Sequence, residues 1–223
     1  MAEILKTIKL NKYFRETEVF HVIKDINLSI NTSEFVTITG KSGCGKSTLL
    51  YLLSTMDNDY EGEVIINNTK VTGLTQNELA AFRNENIGFV FQFHFLLPEF
   101  TALQNVMMPA LKLGKYKKSE IEERAYAKLK QVQMEDFATK LSGKLSGGQQ
   151  QRIAVARALI NDPKVIMADE PTGNLDSANT DIVFDIFKDL AAKGNTIIAV
   201  THDNDFAQKS DRIIEMKDGE IVS

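Results

Sequence analysis

Two rhythms of hydrophobic residues alternate along this chain. FVTIT at 35–39, KVIMAD at 164–169 and NTIIAVTHD at 195–203 are short, near-continuous apolar runs that stop at Gly40 or at polar residues. That is the pattern of parallel strands buried on both faces. KSTLLYLLS from Lys46 reads as a helix, and DIVFDIFKDLAAKG at 181–194 fits a crossover helix closed by Gly194. Residues 101–161 read as almost wholly helical. In SEIEERAYAKLKQV, Ile121, Ala125, Leu129 and Val132 share one face, which predicts a packed amphipathic helix. Residues 1–35 and 61–72 break the rhythm with short alternating runs such as EVIINN, predicting an antiparallel layer beside the parallel core. The predicted architecture is one α/β domain. Its core covers 1–92 and 162–223 and carries the β layer, and a helical subdomain is inserted at 93–161.

Composition narrows the function classes. With 223 residues, 43% hydrophobic and 25% charged, the chain can bury one sizeable core. A net charge of −4 lacks the basic surplus of a nucleic-acid footprint, so no nucleic acid is expected as a partner. The single cysteine, Cys44, cannot form an intrachain disulfide, and MAEILKTIKLNKYF has no long apolar segment with a cleavage site. A cytoplasmic location is expected. No apolar run approaches the roughly 18–20 residues that a membrane-crossing helix needs.

GKSGCGKST at 40–48 turns the fold into chemistry. It matches GxxxxGK[ST] with a strand before it and a helix after it, the context that pattern requires, and so predicts a P-loop NTPase (RecA-like) core. Gly40, Lys41, Ser42, Gly43, Cys44, Gly45, Lys46, Ser47 and Thr48 are expected to wrap the phosphates of a nucleotide. Backbone N–H groups cradle the oxygens, Lys46 reaches the β- and γ-phosphates, and Ser47 offers its hydroxyl to Mg²⁺. Asp169, at the end of an apolar strand, is the expected direct or outer-sphere partner of that ion. Glu170 beside it can accept a proton from an attacking water. A second glycine-led helix start, LSGGQQQR at 145–152, has the makings of an anion site but lacks a lysine.

These motifs resemble the ATP-binding cassette (ABC) family along nearly the whole chain. The P-loop, Gln92 closing the strand IGFVFQ, LSGGQ at 145–149, IMADEP, the Leu175 and Asp176 of GNLD, and the His202 of THD occur in the family's order. The resemblance implies that two cassettes pack head to tail around ATP. Ser146, Gly147 and Gly148, with Gln149 in the same signature, then grip the γ-phosphate in trans while Lys46 grips it in cis. It further implies Glu170 as general base, His202 as a γ-phosphate contact, Gln92 and Ser47 as partners of Mg²⁺ or water, and Asp176 as a contact across the interface. Phe14 of NKYF aligns with the aromatic that stacks on adenine; Tyr13 is adjacent, and a core aromatic is the alternative for Phe14.

QFHFLLPEFTALQNVMMP at 92–109 and ADEPTGNLD at 168–176 resemble the branch that contains lipoprotein-releasing and macrolide-exporter ATPases. That branch also holds a cell-division ATPase with no demonstrated cargo. The resemblance implies an ATP-bound homodimer, an integral membrane permease subunit as partner, and a peripheral position on the cytoplasmic side of the inner membrane. Phe93, Phe95, Leu96, Leu97 and Phe100 are expected to offer an apolar surface to that permease, with at least two exposed; the alternative is that they are internal. His21 and His94 receive no catalytic role. Ser142 stands where relatives often carry proline, and LSG at 141–143 reads as a loop. Cys44, in a loop whose amides favour a thiolate, is expected to be a reactive thiol whose modification by maleimide inhibits hydrolysis and is prevented by ATP; the alternative is a small residue shielded by packing.

Overall fold

The computed structural model describes residues 2–15 and 18–222. The chain opens with β1 (Glu3–Arg15), which pairs antiparallel with β2 (Val19–Ile26) and with β3 (Ser29–Asn31). β4 (Phe35–Gly40) leaves this layer and feeds the glycine loop and α1 (Lys46–Leu53). The chain then returns to the layer as β5 (Glu61–Ile66), against β1, and β6 (Thr69–Lys70). Next come α2 (Gln76–Asn86) and β7 (Ile87–Val90), followed by α3 (Ala102–Leu113), α4 (Lys118–Gln131) and α5 (Gly147–Leu159). β8 (Val165–Asp169), α6 (Ser177–Ala192), β9 (Thr196–Val200), α7 (Asn204–Gln208), β10 (Arg212–Lys217) and β11 (Glu220–Ile221) complete the chain.

The central sheet runs β11-β10-β4-β9-β8-β7, parallel from β10 to β7 with β11 antiparallel at one edge. Every residue of β8 and β9 is buried, because the sheet is covered on both faces. Alternation then sorts the side chains. Val36, Ile38, Met167, Ile198 and Val200 face α1 and the antiparallel layer, packing with Leu5, Ile23, Leu49, Leu53 and Ile66. Phe35, Ile166, Ala168, Ile197 and Ala199 share the opposite core with Val106, Ile121, Leu129, Ile153 and Phe187 of the helices. The predicted stripe of Ile121, Ala125, Leu129 and Val132 is wholly inside that core.

Three local details differ from the sequence expectation. β7 ends at Val90, two residues short of Gln92, so Gln92 lies on a loop. The first LSG is a 3₁₀ turn at Ser142–Lys144, not an open loop. Ser142 is buried there: its Oγ donates to Leu97 O (2.6 Å) and accepts from Asn105 Nδ2 (3.2 Å). α6 starts at Ser177, four residues before the apolar run, because Asp176 caps it through Asn179 N (2.8 Å).

Candidate active site

Strand order places the chemistry. β9 lies between β4 and β8, so the residues that follow these three strands, the P-loop, His202 and the Asp169–Glu170 pair, gather at one end of the sheet. This is where open α/β sheets bind ligands. A cleft of about 230 Å³ there is lined by Val22, Ser42, Gly43, Gly45, Lys46, Ser47, Thr48 and Glu170. A larger groove, of about 750 Å³, shares Glu170 but opens toward His202, Thr180 and Lys209 and does not reach the P-loop.

The loop 40–48 needs its glycines. Gly45 caps α1 at φ 102, and a side chain on it would meet Ile23 Cδ1 at 3.0 Å; a Cβ on Gly40 would stand 2.3 Å from Met216 O. No side chain caps α1, which leaves its first-turn N–H groups to an anion. Lys46 is buried and arches back over the loop, donating to Gly40 O (2.8 Å) and Lys41 O (3.1 Å). Cys44 Sγ points the other way. It is 7% exposed, belongs to the core beneath the loop and sits 2.8 Å from where a Cβ on Gly40 would be. Packing therefore shields the thiol, which corrects the expectation of a reactive cysteine.

Ser47 and Tyr51, four residues apart on α1, both reach Asp169. Ser47 Oγ donates to Oδ1 and Tyr51 Oη to Oδ2, each at 2.9 Å. Burial, followed by the bond to Asp169 and its charge, pushes the Tyr51 hydroxyl up to about 12. Tyr51 thus remains a donor at neutral pH and fixes the carboxylate. Its i, i+4 spacing from Ser47 was the signal in the sequence, and it went unread.

Glu170 follows at φ 45, in the left-handed region that disfavours a side chain. Its Oε2 accepts from His202 Nδ1 (2.9 Å) and from His202 N (3.3 Å). Gln92 approaches from the loop after β7: a methyl on Gly173 would stand 3.0 Å from Gln92 Nε2 and 3.6 Å from Glu170 Cβ. Gln92 and His202 therefore both gather about Glu170, which lines the cleft with Lys46 and Ser47.

The signature begins α5. Ser146 is its N-cap at φ −65, and Ser146 and Gln149 close a reciprocal capping box (Ser146 N to Gln149 Oε1 3.0 Å, Gln149 N to Ser146 Oγ 3.3 Å). Gly148 is required locally, since a Cβ there would stand 2.3 Å from Asn179 Oδ1. Gly147 is not; the nearest atom to its added Cβ is His94 Nε2 at 3.9 Å. Asn179, which the sequence reading missed, also grips both carboxylate oxygens of Asp176 (2.9 and 3.0 Å) and holds that carboxyl below the usual range, through its backbone N–H first and its side chain second.

At the other side of the P-loop, Phe14 is 44% exposed, opposite Phe20 in the β1–β2 register, with the Lys12 ammonium 5.2 Å from its ring centre. Tyr13 faces the other way and stacks on His21 at 4.1 Å. Phe20 in turn lines, with Val22 and Gly43, a hollow of about 260 Å³ beside the P-loop.

This fold and site define a P-loop nucleoside triphosphatase with a signature-bearing helical insert. The sequence description of the ABC transporter family matches residues 23–173. The chain is 48% identical over 222 residues to the lipoprotein-releasing system ATP-binding protein LolD of Aquifex aeolicus (strain VF5), covering 100% of this chain and 97% of that protein. Its structure is similar to that of MJ0796, a bacterial ABC transporter cassette solved as a dimer, with a TM-score of 0.91 and 42% identity over 99% of this chain and 97% of that one. A post-hydrolysis dimer of MJ0796 bound to ADP and Pi matches at TM-score 0.91 and 41% identity, with the same coverage. The chain belongs to the ABC transporter family, as its ATP-hydrolysing cassette.

Proposed function

We propose that two copies of this cassette close head to tail around ATP and drive a separate integral membrane permease in lipoprotein release, from the cytoplasmic side of the inner membrane. Similarity over nearly the full length, at 48% identity, to a lipoprotein-releasing system ATP-binding protein carries the reading of the system served. The position on the membrane is peripheral, and among the described residues no helix is long and apolar enough to cross it. In this reading the core is 1–92 with 162–223 and the helical subdomain is 93–161.

Within each site, Lys46 and the amides of Gly43 to Thr48 bind the phosphates, and Phe14 stacks on adenine. Asp169 and Ser47 offer oxygen ligands 2.9 Å apart, with Gln92 nearby. That hard, sparse donor set suits Mg²⁺, which keeps waters and substrate phosphates as its other ligands; among the described residues there is no cluster of three His, Cys, Asp or Glu able to hold a metal alone. Bound there, Mg²⁺ supplies charge neutralisation on the β- and γ-phosphates. Glu170 takes the proton of the attacking water, oriented by its two bonds from His202, which also faces the γ-phosphate. Ser146, Gly147, Gly148 and Gln149 of the second copy, with its Asp176, complete the site.

Docking is assigned to the exposed apolar segment. Phe93 and Phe95 are 63% and 64% exposed and Leu97 and Phe100 are also exposed, whereas Leu96 packs on the core. Beside them a groove of about 330 Å³ is lined by Met56, Phe89, Phe91, Phe95 and Pro109. Its occupant is an amphipathic helix of the permease.

Two measurements test these assignments. Glu170→Gln slows hydrolysis by about 10²–10⁴, or roughly 3–5 kcal/mol of barrier, with ATP affinity retained; near-normal turnover contradicts the base. Phe95→Ala and Phe100→Ala keep melting temperature and basal hydrolysis but cost about 2 kcal/mol or more each in binding the co-purified permease. Low melting temperatures and lost basal activity in both would place the aromatics in the core instead.

A further inference from the structure

We propose that Gln151 is a positioning residue for ATP hydrolysis, acting with His94 to hold the loops that carry Gln92 and Glu170 in register with the signature helix. Gln151 lies on α5, two residues past the signature, and is completely buried. Its Nε2 donates to Pro171 O (2.7 Å) and, more weakly, to Phe91 O (3.4 Å). Both acceptors are carbonyls, which settles the amide orientation: an oxygen in that place would face two acceptors. Oε1 is therefore left to accept, and it lies 2.5 Å from His94 Nδ1, which must carry the proton.

One side chain of the signature helix thus touches the residue before Gln92 and the residue after Glu170. The backbone it braces on both loops is left-handed at non-glycine residues, Glu170 at φ 45 and Phe95 at φ 46. Such conformations persist only where surrounding contacts over-determine them. Arg157, farther along α5, adds the second brace by donating to His94 O and Phe95 O at 2.7 Å each. A leucine would fill the same core with no polar atoms to satisfy; the carboxamide is buried with both ends paired, which ties two loops to the signature helix where an apolar side chain would tie none.

The inference rests on Glu170 as the general base, so Glu170→Gln is assayed in parallel. In the full chain, Gln151→Leu and Gln151→Glu, which keeps the shape but loses both donors, should lower kcat about 10- to 100-fold while affinity for a fluorescent ATP analogue stays within about 2-fold. His94→Asn, which retains an N–H near the place of Nδ1, should keep kcat within about 3-fold, and His94→Phe should lose about 10-fold. The proposal is overturned if Gln151→Leu turns over normally, if His94→Asn and His94→Phe fall equally, or if cooling well below each variant's melting temperature restores kcat. Normal turnover in Glu170→Gln would overturn the base assignment instead, whatever the Gln151 variants do.

Discussion

Two helices of this chain begin on glycines, and they are built on opposite plans. α1 is capped by Gly45 at φ 102 with no side-chain bond, so its amides and Lys46 stand ready for phosphate in a concave loop. α5 is capped by Ser146 at φ −65 in a closed box with Gln149, so two of its first-turn amides are met inside the chain. The first is a complete cradle; the second is only half of one. The amides of Gly147 and Gly148 lie at positions where helix geometry supplies no carbonyl partner, yet no lysine follows them directly as Lys46 follows Gly45. A site of that kind has use when another copy brings the nucleotide.

Substitutions can break this contrast from either side. The largest effect belongs to the first helix: Lys46→Ala should abolish hydrolysis and weaken ATP binding to the monomer by about 1.5–3 kcal/mol, the range for hydrogen bonds to charged groups, as read by nucleotide titration. On the second helix the two glycines should part company. Gly148→Ala drives a methyl into Asn179 and should cost about 1–3 kcal/mol of stability in chemical denaturation. Gly147→Ala makes only an ordinary contact with His94, at 3.9 Å, and favours helix, so stability should change by less than about 0.5 kcal/mol, or rise, while hydrolysis falls. A stable, fully active Gly147→Ala would mean that closure around the nucleotide has no need of a glycine at that position. The smallest expected effect is Tyr51→Phe, which frees one oxygen of Asp169 and should raise the KM for Mg·ATP by a few-fold, about 0.5–1.5 kcal/mol.

The fold was legible because its strongest signals are long and periodic. The buried runs of β4, β8 and β9, the antiparallel layer and the stripe on α4 all read directly from hydrophobic spacing. Boundaries set by single polar contacts did not: the start of α6 depends on Asp176 bonding Asn179, and the turn at Ser142 on bonds to Leu97 and Asn105 from distant parts of the chain. The phosphate loop was legible as a contiguous motif. Gln151, Asn179 and Arg157 were not, since each acts on residues 3 to 63 positions away and has an ordinary helical neighbourhood in sequence. Two signals were present and unread, the Ser47–Tyr51 spacing and SGGQ as a capping box. Cys44 shows the reverse hazard: a position inside a reactive-looking loop, but a side chain turned into the core, so maleimide should label the folded chain slowly with or without ATP.

The central claim is that the signature of one chain completes the ATP site of another. It is tested most directly by sedimentation of Glu170→Gln and of the double variant Glu170→Gln, Ser146→Arg, each with saturating Mg·ATP and with bound nucleotide counted. The account predicts a dimer for the single variant and a monomer for the double variant that still binds one ATP with near-parent affinity, because arginine blocks closure and leaves the cradle intact. A double variant that loses ATP affinity as a monomer, or one that still dimerises around ATP, would contradict it.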